Sequence, residues 1–105
     1  MKMSKYIVIH PFTKRALEGM LSLPPEKNVL LKKLKADCTD DADWLRSWAI
    51  PELEKLYCEW DAKDPESIRN VFEKGGGATV IEAIYEMQVI EGEDFKGQVL
   101  EAIQS

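Results

Sequence analysis

The chain has a single histidine, His10, at the end of the apolar run "YIVIHPF". Two glutamates, Glu59 and Glu86, lie within the later runs "KLYCEWD" and "TVIEAIYEMQVI". An imidazole with two carboxylates is a donor set for a divalent metal, and neutral histidine suits nickel or zinc. Three protein ligands are enough where one coordination position stays open. A second group is Arg46, Trp48 and Tyr57. In "WLRSWAI", Trp44, Arg46 and Trp48 alternate onto one strand face, and an arginine stacked between indoles is a platform for a small ligand. The two thiols promise less chemistry. Cys58 alternates with Leu56 and Trp60 as a small buried hydrophobe, and neither Glu59 nor Trp60 can lower its pKa. Cys38 sits in an acidic turn with Asp37, Asp40 and Asp41, whose charges raise a thiol pKa and make it a poor nucleophile.

These residues need a frame to bring them together. "YIVIHPF", Tyr6 to Phe12, is a short β-branched and aromatic run broken by Pro11, as expected of a buried strand. "TKRALEGMLS" fits either a helical turn or a loop. The next segment, "PPEKNVLLKKLK", predicts a helix from Pro25, with Glu26 near its positive end and Lys32, Lys33 and Lys35 near its negative end. Leu30, Leu31 and Leu34 form its apolar stripe. "WLRSWAI" predicts a second strand and "KLYCEWD" a third, with the period of two of a half-buried strand. Asp64 and Pro65 are N-cap and first residue of a helix whose apolar face is Ile68, Val71 and Phe72. Gly75 to Gly77 end that helix; a phosphate cradle would place glycines before a helix, not after one. Thr79 to Ile90 predicts a long fourth strand, and "DFKGQVLEAIQ" a terminal helix.

Strand, helix, strand, strand, helix, strand is the split β-α-β order of a ferredoxin-like α+β domain, an antiparallel sheet with both helices on one face. We divide the chain into this domain over 1–92 and a C-terminal helical extension over 93–105. Strand order 4-1-3-2 is expected. Ile7 and Ile9 are read as the core pair of the first strand, which turns Tyr6, Val8 and His10 to the open face with Tyr57 and Glu59, where His10, Glu59 and Glu86 could converge. The aromatic residues of the strands, Trp44, Trp48, Tyr57 and Tyr85, suit burial against a second copy, so a homodimer is expected. At 105 residues the chain buries one core without a disulfide or structural metal. A net charge of -5 argues against nucleic acid as the partner. With no long apolar run, leader-like start or Cys-x-x-Cys pair, we expect a cytoplasmic protein with no membrane partner.

The run Cys58 to Arg69, "CEWDAKDPESIR", together with "WLRS" at Trp44 to Ser47, resembles a family of small bacterial proteins of unknown function labelled nickel-responsive or nickel-binding. Its pattern is an amino-terminal strand, a Trp-x-x-Ser strand, a Cys-x-x-x-Ala strand end, an acidic helix start and a final strand. The resemblance spans roughly residues 5 to 90 and implies a dimeric α/β barrel and a metal site. The chain departs from the pattern in its proline-interrupted first connection, its triple glycine and its C-terminal helix.

Residues and resemblance together favour a small dimeric protein that binds a metal or small ligand, either between sheet and helices or between subunits. The alternatives are a cofactor-free enzyme of the dimeric α/β-barrel type, a monooxygenase or isomerase with His10 as acid or base, and a regulatory or assembly module whose open sheet exists to pair.

Overall fold

A computed structural model of the chain describes residues 2–98. Four strands, β1 (Ser4–Pro11), β2 (Ala42–Ile50), β3 (Lys55–Ala62) and β4 (Ala83–Glu86), form one antiparallel sheet in the order β2-β3-β1-β4. Three helices, α1 (Lys14–Ser22), α2 (Val29–Asp37) and α3 (Pro65–Lys74), fill the two crossovers. This is the ferredoxin-like arrangement. The core joins the helix residues Leu17, Ile68 and Val71 to the strand residues Tyr6, Val8, Leu56, Cys58 and Trp60.

Local chemistry sets where each helix begins. The ambiguous segment after β1 is α1, because the Thr13 hydroxyl caps it by accepting from Ala16 N at 3.1 Å. α2 starts later than its prolines suggest. Pro25–Lys27 is a separate 3-10 turn, and the Asn28 side chain is the cap, accepting from Leu31 N at 3.2 Å. For α3 the expected boundaries hold. Asp64 Oδ1 accepts from both Ser67 N and Ser67 Oγ at 2.8 Å, and Pro65 stands in the first turn. Those two bonds hold the Asp64 carboxyl below its usual pKa. At the other end Gly77 N donates to Phe72 O at 2.9 Å, with Gly76 and Gly77 at φ 108° and 70°. Most side chains avoid that region, so glycines stop the helix here.

Sequence expectations change in the strands as well. In β1 the buried residues are Tyr6, Val8 and His10, not Ile7 and Ile9. The register shows why: Tyr6, Val8 and His10 lie opposite Trp60, Cys58 and Leu56, and opposed residues share a sheet face. Both alternating sets of this strand are largely apolar, so the period of two does not say which points inward. In β2 a bulge between Trp44 and Arg46 separates the residues read as one face. Trp44 lies opposite Trp60 on the helix side, while Arg46 and Trp48 lie opposite Glu59 and Tyr57 on the open side. Finally, β4 is only Ala83–Glu86. Its bonds to β1 are bracketed by Glu82 N donating to Ile9 O and Met87 N donating to Lys5 O, and the pairing ends there although the apolar run continues on both sides. The start of the expected tail helix is a 3-10 turn, Gly92–Phe95; the part over 99–105 lies outside the described residues.

Candidate functional site

The two faces of the sheet hold two different sets of candidate residues. On the helix side, α2 has an apolar stripe but no fully buried residue. A helix that covers a sheet without sinking into it leaves space beneath. That space is a cavity of about 110 Å³ between the sheet, α2 and α3, with His10, Leu56 and Cys58 as floor and Leu31, Leu34 and Phe72 among its walls. Leu30, 51% exposed, also lines it and marks its mouth. The Lys33–Asp37 ion pair, at 3.0 Å, lies at the same rim.

His10 is 1% exposed, and its Nδ1 lies 2.8 Å from Val80 O. A carbonyl only accepts, so Nδ1 carries the proton and Nε2 keeps its lone pair. Burial pushes the imidazole pKa down, only partly opposed by the bond to Val80, and so favours this neutral tautomer. The ring packs against Phe72 with centroids 5.0 Å apart. No protein group among the described residues hydrogen-bonds Nε2.

Cys58 shares this cavity and is 1% exposed. Burial pushes its thiol pKa up to about 11, against the hydrogen bond from Ser47. Trp44 Nε1 donates to Ser47 Oγ at 2.8 Å, and Ser47 Oγ donates to Cys58 Sγ at 3.0 Å. The tryptophan, serine and cysteine that carry the family resemblance are thus one hydrogen-bonded unit across β2 and β3. Cys38 is half-buried, with its pKa raised first by burial.

The expected convergence of His10, Glu59 and Glu86 does not occur within the chain. Glu59 lies opposite Ile7, on the open face, and so on the other side of the sheet from His10. There it is 7% exposed, clamped between Lys5 Nζ at 3.2 Å and Arg46 Nε at 3.3 Å. Glu86 lies opposite Tyr6 at the far end of β1 from His10, about 13 Å along the strand at 3.3 Å per residue. Burial, then the Glu86 carboxylate, raises the Tyr6 pKa. Among the described residues no three His, Cys, Asp or Glu side chains come together to hold a metal ion.

Arg46, Trp48 and Tyr57 do come together, on the open face. Ile7, Ile9 and Ile50 lie around them by register, and Tyr85 lies opposite Ile7 on β4. Trp48 is 46% and Tyr85 60% exposed. Ion pairs edge this patch, with Lys5 also bound to Asp61 at 2.8 Å; that hydrogen bond is the main cause of the raised Lys5 pKa. The sequence pattern missed Asp37, Phe72, Thr79 and Val80 as surroundings of His10. Only the reversed face of β1 brings them to it.

Fold and site together define a small ferredoxin-like α+β domain with an open, partly apolar sheet face and a histidine-lined cavity. The family model described as "Nickel responsive protein SCO4226-like" matches residues 6–87, and the chain belongs to this family. A crystal structure of SCO4226 from Streptomyces coelicolor A3(2) has the same fold, with a TM-score of 0.54 at 17% sequence identity, covering 84% of this chain and 100% of that one. No curated protein gives a significant match.

Proposed function

We propose that the chain is a small homodimeric binding protein, paired through the open face of its sheet, that holds a small ligand in the cavity at His10. The observation that carries the binding site is a buried histidine, fixed as the Nδ1–H tautomer by Val80, lining a cavity that has a mouth. Pockets of this kind, apolar with a few placed polar groups, are the usual form of small-molecule sites. Pairing is supported by the exposure of Trp48, Ile50 and Tyr85 on a face that no helix among the described residues covers. Two such faces stacked make the dimeric α/β barrel and bury about 1,600 Å² in total, the size of a standard interface. The unpaired cysteines support a reducing compartment, the cytoplasm, and among the described residues no helix is long and apolar enough to cross a membrane.

The family match favours a second reading, in which the ligand is nickel. The fit is partial: His10 Nε2 and Cys58 Sγ belong to residues on one cavity, and the chain's described residues add no third donor to make a cluster. Nickel held here takes its remaining ligands from outside those residues. The same Nε2 lone pair is what a cofactor-free monooxygenase or isomerase would use as a base; a ligand turned over rather than retained would mark that alternative.

Two measurements test the proposal. Sedimentation at micromolar concentration is expected to show a dimer that Trp48→Asp converts to a monomer; a monomeric wild type overturns the pairing. Nickel and zinc titrations compare the wild type with His10→Ala. A tenfold or greater loss of affinity, roughly 1.4 kcal/mol, places the ion at His10, whereas unchanged affinity removes the metal reading. An equal loss in Glu66→Ala, an exposed carboxylate that does not line the cavity, would mean that the assay reports non-specific binding to an acidic surface.

A further inference from the structure

We infer that the cavity takes a compact, uncharged, single-ring molecule bearing one O–H or N–H donor, a phenol or an azole in chemical class, with that donor bonded to His10 Nε2. This rests on the reading of the cavity as the ligand site and adds the kind of molecule it accepts. Size sets the first limit. An aliphatic and aromatic cavity of roughly 150 Å³ in an engineered protein core admits benzene; a space of about 110 Å³ with an open mouth admits one ring and little more.

Polarity sets the second. The side chains around the space are mostly Leu, Val and Phe, and the charged pair at its rim, Lys33 and Asp37, is already satisfied within itself at 3.0 Å. An ion entering would lose its water against apolar walls with no free counter-charge beside it. The third limit is the direction of the hydrogen bond. Nδ1 is committed to Val80 O, so the other nitrogen of His10 only accepts, and Cys58 Sγ is engaged by Ser47. A ligand with a donor satisfies Nε2; a hydrocarbon of the same shape would shut it off from water and leave it unpaired.

The protein is titrated with phenol, toluene and benzoate, followed by melting temperature and by the ¹⁵N signals of the imidazole. The chain has one histidine, so those signals need no assignment. Phenol is expected to bind at least tenfold more tightly than toluene and to move the Nε2 resonance while leaving Nδ1 protonated; benzoate is expected not to bind. If toluene binds as well as phenol, the cavity is a ligand site but the donor assignment is wrong. If benzoate binds best, the exclusion of charge is wrong. If none of the three binds, the reading of the cavity as a ligand site fails with it. His10→Phe is expected to erase the preference for phenol, and should this variant not fold, the wild-type Nε2 shift decides alone.

Discussion

One sheet presents two faces that look alike in sequence and differ in chemistry. On the helix side Tyr6, Val8, His10, Leu56, Cys58 and Trp60 are all buried, and the histidine and cysteine have hydrogen-bond partners in Val80 and Ser47. On the open side Ile7, Ile9, Trp48 and Tyr57 alternate with Lys5, Arg46, Glu59 and Asp61, which neutralise one another in pairs. Both faces carry apolar side chains. What separates them is the treatment of charge: the covered face holds a neutral histidine and a protonated thiol, while the open face keeps its ions and pairs them. A neutral, apolar face suits a small uncharged ligand, and an apolar patch edged by matched charges suits a second protein surface.

The contrast is broken most forcefully with tryptophan. Trp60 is fully buried against Phe72, so Trp60→Ala is expected to cost about 3–5 kcal/mol in denaturant unfolding. Trp48→Ala, measured at a concentration where the chain is monomeric, is expected to cost about 1 kcal/mol or less because the ring is 46% exposed. Equal costs would mean that the two faces are not distinguished by burial.

Thiol chemistry gives the next difference. Cys58, buried and pushed up to a pKa of about 11, is expected to react with a disulfide reagent only on unfolding, while half-buried Cys38 reacts first in the native protein. Fast labelling of Cys58 would put β3 the other way round, and with it both faces.

Glu59→Gln is expected to have the smallest effect. It frees Arg46 and leaves Lys5 paired to Asp61 alone; these side chains are 65% and 34% exposed and regain water, so about 1 kcal/mol or less is lost. A much larger loss would mean that the carboxylate supports the core rather than the open surface.

The fold was legible because caps and periods agreed from element to element. Asp64-Pro65 and the triple glycine bracket α3, and Leu56, Cys58 and Trp60 alternate against polar neighbours in all but one place. The candidate site was less legible, for a specific reason in each strand. "YIVIHPF" offers two apolar faces, and only the pairing of Val8 with Cys58 decides between them. In "WLRSWAI" one bulge at Leu45 divides Trp44 from Arg46 and Trp48, and a bulge leaves no mark in a single sequence. In "TVIEAIYEMQVI" the apolar run is longer than the strand it pairs with, so its length overstates β4. Arg46, Trp48 and Tyr57 came out together because the bulge precedes all the pairs that join them. His10 stands out in the sequence as the only imidazole, and its surroundings depend on which face of β1 points inward.

The chemistry of the covered face depends on His10 lying inside, neutral and protonated at Nδ1, with Nε2 free to accept. Its ¹⁵N spectrum between pH 5 and 8 tests this most directly. The folded-state pKa is lowered from the ordinary value near 6.5 by burial. Above 6.5 the imidazole is neutral in both the folded and the unfolded chain. As the pH falls from 6.5 toward the lowered value, the unfolded chain takes up a proton that the folded chain refuses, so stability decreases toward acid. One protonated and one bare nitrogen are expected to persist as the pH falls below 6.5, with unfolding free energy declining there in the wild type more steeply than in His10→Gln. An imidazole that titrates near 6.5 or above in the folded protein, with both nitrogens exchanging with water, would contradict it and return His10 to the open face.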